Sequence, residues 1–165
     1  MMNLTFYLAG AIALISTALA ITRMNAIHAL LFVIVSLISV AVVFFTLGAP
    51  FVAALEVIIY AGAIMVLFVF VVMMLNLNPA SAVLERQLFT GRSWIGAAIL
   101  AAILVIEMIY LLAQGGGLST GAAMQDPRQV SIALFGPYVV GIELAAFLLL
   151  AGLLGAFHIG RREEG

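Results

Sequence analysis

The sequence has no cysteine and no lysine, and only 8% of its 165 residues are charged. Without cysteine there are no disulfides, no iron–sulfur ligation and no thiol chemistry. Two histidines, His28 and His158, cannot build a zinc site by themselves. A net charge of −1 offers no basic surface for nucleic acid. Six basic and seven acidic side chains are too few to coat a soluble chain of this length. An apolar content of 67%, against about 45–50% in soluble domains, excludes a soluble monomer. It equally excludes a disordered chain, which needs low hydrophobicity.

What the sequence does have is long apolar runs. A membrane-spanning helix needs about 20 mostly apolar residues. Five stretches qualify, at residues 4–21, 26–47, 51–75, 94–113 and 138–157. The expected fold is therefore all-α, a bundle of five transmembrane helices in one membrane domain over residues 1–165. The third run is the longest. At about 1.5 Å per residue its 25 residues would reach about 37 Å, more than a bilayer core of about 30 Å. That helix should tilt or be distorted.

Turn residues separate the runs. Arg23 to Asn25 follow the first, and Gly48-Ala49-Pro50 divides the second from the third. Asn76, Asn78 and Pro79 end the third, and Gly136-Pro137 introduces the fifth. Two polar loops remain, at residues 76–93 and 114–135, the second with a short interfacial stretch at 130–135. In a five-helix arrangement Arg23, Arg86, Arg92, Arg161 and Arg162 share one side, and only Arg128 falls on the other. That bias places the C-terminus inside and the N-terminus outside. Ala18-Leu19-Ala20 resembles a signal cleavage site, but Met1-Met2-Asn3 lacks a positive n-region, so the first run reads as a span.

Three carboxylates fall inside the runs: Glu56, Glu107 and Glu143. A charge near the bilayer centre costs about 2.5–3.5 kcal/mol on insertion scales, so an intramembrane acid is a functional candidate. Burial favours its neutral form, and a cation or water chain favours the charged one. Such a group can load and release a proton as its hydration changes. The rival reading is that these acids reach the interface or accept bonds from neighbouring helices, and Glu107 is assigned chiefly to it. Glu56 ranks first because Tyr60, four residues on, shares its helix face. Tyr60 would lie about 14 Å into the helix, where a phenol needs a partner. Ala61-Gly62-Ala63 follows, three small residues that permit close helix contact or a backbone departure from α geometry. An almost unbroken bulky apolar stretch at 64–75 comes next. Equally, Gly62 could serve only to let another helix approach.

Other signals carry less. Met65, Met73 and Met74 read as packing rather than metal ligands. Gly115-Gly116-Gly117 follows no strand and has no nearby lysine, so it is not a phosphate loop. His28 reads as a capping or hydrogen-bonding residue, and His158 with Arg161-Arg162 as a surface anchor. There is no nucleophile–base pair, no metal set and no cofactor fingerprint, so this chain alone should not catalyse bond chemistry.

Residues 56–75, with Glu56, Tyr60-Ala61-Gly62-Ala63 and the apolar continuation, closely resemble the signature helix of the subunit J family of bacterial NADH:quinone oxidoreductase, respiratory complex I. Asn25-Ala26-Ile27-His28 is similar to that family's Asn-Pro-Val-His segment, with Ala26 where proline is common. Leu134-Phe135-Gly136-Pro137-Tyr138, Glu143-Leu144-Ala145 and Ala156-Phe157-His158-Ile159-Gly160-Arg161 resemble the family's fifth helix.

The resemblance implies a multi-pass subunit of the bacterial cytoplasmic (inner) membrane that holds no redox cofactor itself. NADH, FMN, iron–sulfur clusters and quinone would belong to other subunits. Its partners would be the lipid bilayer, the small subunit K, the quinone-end subunits and the antiporter-like pumping subunits. It also implies a third helix that can carry a π-bulge near residues 60–66 and so open or close a water path for protons. On that reading Glu56, Tyr60 and Glu143 belong to the proton pathway. Gly62, Met65, Val66 and Phe68 form the gate or hinge. Two rivals are a stand-alone small ion transporter or channel and a purely structural membrane subunit. A transporter predicts internal symmetry or several polar groups converging on a midplane cavity, and the sequence displays neither.

Overall fold

The computed structural model of the chain describes residues 2–23, 26–75, 92–113 and 125–160. These residues form helices and no strands. Five of the helical stretches are long and apolar enough to cross a membrane, namely Leu4–Thr22, Ala26–Thr46, Pro50–Val72, Trp94–Ala113 and Val139–Gly160. Helices are what such sequences must form in lipid, because no water is present to satisfy an unpaired backbone group. Arg86, Arg161, Arg162 and the Gly115-Gly116-Gly117 stretch lie outside the described residues.

The helices are α1 (Met2–Thr22), α2 (Ala26–Thr46), α3 (Pro50–Leu55), a π-helical segment (Glu56–Ile64), α4 (Met65–Leu75), α5 (Arg92–Ala113), α6 (Pro127–Phe135) and α7 (Val139–Gly160). They divide into two compact units, residues 1–124 and 125–165.

In the first unit α2 is the central element, packing against α1, α3, the π segment, α4 and α5. Two apolar clusters fill the seam between α1, α2 and α5. One holds Ala9, Ile12, Val35, Val42 and Leu104. The other holds Ala20, Phe32 and Ala97. Phe32 has no exposed surface, because alanines of α1 and α5 leave room for its ring. The Arg23 guanidinium lies 4.9 Å from the centre of that ring, a cation–π contact closing one end of the seam. Hydroxyls bond across the seam as well. The Thr17 and Ser36 hydroxyls lie 2.8 Å apart and 2.9 and 3.1 Å from the Ala13 carbonyl, so one donates to the other while its partner donates to that carbonyl. Bonds of this type in membranes average about 0.6 kcal/mol and reach about 1.7.

The turn from α2 to α3 is built by Gly48, whose φ of 83° is open to a residue without a side chain. Gly48 N–H donates to Phe45 O at 3.1 Å and Ala49 N–H to Phe44 O at 3.0 Å. This is the Schellman pattern that satisfies the last carbonyls of a helix. Pro50 then takes the first turn of α3, where its missing N–H costs nothing.

In the second unit α6 is capped by Asp126, whose carboxylate accepts from Arg128 N–H at 3.0 Å, with Pro127 in the first turn. The interfacial stretch expected at 130–135 is thus the latter part of a longer helix. Gly136 ends it, Tyr138 N–H reaches back to Ala133 O at 3.2 Å, and α7 follows.

Candidate functional site: the π-helical segment of the third span

The third apolar run is one continuous helix of three parts. Residues at both junctions, Leu55 and Met65, have right-handed helical dihedrals, so the chain neither breaks nor turns there. Between them Glu56–Ile64 winds as π-helix. At the far junction Met65 N–H is shared between Gly62 O and Tyr60 O, the latter five residues back, the spacing that defines the wide helix. π-helical turns are rare and concentrate at functional sites. A wider turn takes up more residues per turn, which suits a run too long for a straight crossing of the bilayer.

Gly62 sits within this stretch in contact with the wide-turn backbone. A Cβ built there would lie 3.1 Å from the Val57 carbonyl oxygen, again five residues back. That is too close for an ordinary contact, so a side chain at position 62 would push on the backbone of the π segment. Alanines on either side keep the neighbourhood small.

The candidate residues of this helix differ in environment. Glu56 is half-buried at the start of the π segment. Tyr60 is 50% exposed, and its neighbours Val57, Ile58 and Ile59 are exposed too. Met65 is buried at 9% exposure, whereas Val66 at 66% and Phe68 are open. The π segment ends at Ile64, so Val66 and Phe68 belong to regular α-helix. The wide stretch therefore begins about a turn earlier than residues 60–66 and stops short of Val66.

Glu56, Tyr60, Gly62, Met65, Val66 and Phe68 are thus on a single helix, with the polar pair at one end and the bulky residues beyond. Glu143 lies on α7, in the second unit, and is exposed. His28 is buried and its ring meets Trp94 edge to face at 5.8 Å, which ties α2 to α5. His158 is exposed near the end of α7. Among the described residues no three His, Asp or Glu side chains gather in a metal-binding group.

Glu107 lies on α5. It is 7% exposed, and neither carboxyl oxygen has a hydrogen-bond partner among the described residues. The spacing of Leu100, Leu104, Met108 and Leu111 carried the signal, because Glu107 falls inside the same buried stripe of α5.

The family model for NADH-ubiquinone/plastoquinone oxidoreductase chain 6 matches residues 16–159. The NADH-quinone oxidoreductase subunit J of Pseudomonas aeruginosa is 48% identical over 163 residues, covering 98% of each chain. The protein of that name from Escherichia coli strain K12 is 50% identical over 163 residues, 99% of this chain and 89% of its own. Its counterpart in Buchnera aphidicola of Schizaphis graminum is 44% identical, over 99% of this chain and 100% of its own. Matches of this extent, over a chain with five apolar helices, place the protein in the NADH-ubiquinone/plastoquinone oxidoreductase chain 6 family.

Proposed function

We propose that the chain is a non-redox subunit in the membrane arm of a proton-pumping NADH:quinone oxidoreductase, and that its third helix couples quinone reduction to proton translocation. The observation that supports this most is the π segment at Glu56–Ile64, held between α-helical stretches. A helix with a wide segment has two nearby states. Returning one wide turn to α geometry shifts everything beyond it by one residue, about 100° of rotation at 3.6 residues per turn. Val66 and Phe68 lie beyond, on α4, and would swing with it.

On this reading each residue has a role. Glu56 is the proton relay or water organiser at the segment's start. Tyr60 is a hydrogen-bonding pivot, and Gly62 permits the wide turn. Met65 begins the moving stretch, and Val66 and Phe68 wet or dry a narrow path according to rotation. Glu143 is a further carboxyl of the proton pathway. The translocase acts through the assembled complex, with NADH, FMN, iron–sulfur clusters and quinone in other subunits. The small subunit K, the quinone-end subunits and the antiporter-like subunits are the neighbours. The membrane is the bacterial inner membrane, with the N-terminus outside and the C-terminus inside.

The test uses Gly62→Val and Tyr60→Phe in the assembled complex, with NADH–quinone turnover and proton pumping measured in membranes. Both variants are expected to pump less. Undiminished pumping in both would overturn the gating role.

A further inference from the structure

Glu107 lies apart from the π segment, on α5, and its surroundings are unlike those of Glu56. The register follows from the packing. Ala97 meets Phe32 and Ala20 in one cluster, and Leu104 meets Val35, Val42 and Ala9 in the other. Glu107 is one turn beyond Leu104 on the same stripe, which brings it to the level of Val42 and Ala9. Both carboxyl oxygens are shielded from solvent and without a hydrogen-bond partner among the described residues.

The titratable groups of the packed elements do not supply a counter-charge. α1 carries only Tyr7, which is exposed. α2 carries only His28, near its opposite end and engaged with Trp94. On α5 itself Arg92 begins the helix, about 22 Å away along the axis at 1.5 Å per residue. Glu56, on the helix that packs along α2, is a like charge if ionised. The space beside Leu104 and Met108, of about 200 Å³, is lined by Val35, Ile38 and Ala101 as well and is apolar.

An ionised carboxylate needs donors or a cation when it is taken out of water, and among the described residues this one has neither. A bound proton removes the charge without any change of packing. We propose that Glu107 is an intramembrane proton-binding site, holding a proton on its carboxyl within the α1–α2–α5 seam. The site is independent of the proposed gating helix. It releases its proton only where water or a donor enters the seam.

The test is infrared spectroscopy of the assembled complex in lipid at neutral pH, with wild type compared with Glu107→Gln. The wild type is expected to show a carboxylic-acid C=O stretch, shifted down in D2O, that the variant loses. Loss of a carboxylate stretch instead, with no change among the acid bands, would overturn the proposal. Should Glu107→Gln fail to assemble, Glu107→Asp keeps the acid and reads the same question. A shift in the frequency of an acid C=O band supports the site, and a shift confined to carboxylate bands refutes it. Activity of the Glu56 helix does not enter either readout.

Discussion

Two regions of the first unit use similar residues to opposite ends. In the seam of α1, α2 and α5, alanines admit a large ring, hydroxyls bond across helices, and side chains such as Phe32, Ser39 and Val42 are fully buried. In the third helix, the small residues Ala61-Gly62-Ala63 lie in a widened backbone, and its π segment buries no side chain. Small residues therefore do not by themselves mark either packing or mobility. What separates the cases is whether a partner fills the space. In the seam Phe32 occupies the room the alanines leave, and the result is a fixed interface. At Gly62 the nearest atom a side chain would meet is the helix's own Val57 carbonyl, so the room serves the backbone. The first region holds the fold, and the second is the one that changes helix type in the function proposed.

The contrast can be broken from either side. The largest effect on assembly is expected from Phe32→Ala, which empties the centre of the seam. Truncating a buried Phe costs about 3–5 kcal/mol, and here the Arg23 cation–π contact goes with it. Assembled complex in membranes should fall severalfold, while turnover per assembled complex stays near wild type. Blue-native gels with in-gel activity separate the two quantities.

Gly62→Val should show the reverse pattern, with assembly kept and pumping lost. A strain of about 1.4 kcal/mol on the wide state corresponds to about tenfold. Gly62→Ala adds only the Cβ that meets Val57 O and should fall between wild type and valine. Proton pumping per NADH oxidised in membrane vesicles measures both.

Ser36→Ala is expected to have the smallest effect. It removes the bonds to Thr17 and to the Ala13 carbonyl, together worth about 0.6–1.7 kcal/mol at most in a membrane. The complex should lose its activity at a slightly lower temperature on heating, with pumping at ordinary temperature unchanged. A pumping defect in Ser36→Ala without loss of heat stability would mean the Thr17–Ser36 contact does more than hold α1 to α2.

The five spans were legible because each apolar run is long and ends in proline, glycine or asparagine, as at Gly48-Ala49-Pro50. The excess length of the third run pointed to a distortion, and Gly62 to its neighbourhood. The limits of the wide segment were less legible. They depend on which carbonyl each N–H selects, as when Met65 reaches Tyr60, and residue types do not encode that choice one by one. The burial of Glu107 was less legible for another reason. Its distance from the helix end suggested the interface, yet the stripe through Leu104 and Leu111 turns it into the seam. Direction around a helix decided its burial more than depth along it.

In the function proposed, the π segment is one of two working states of the third helix. The direct measurement is the backbone trace of residues 56–65 in the assembled complex, resolved once at rest and once during NADH-driven turnover. The account predicts that Met65 N–H bonds Tyr60 O in one state and Ala61 O in the other, with Val66 and Phe68 rotated between them. An identical π-helical trace in both states, in a complex that pumps normally, would contradict it.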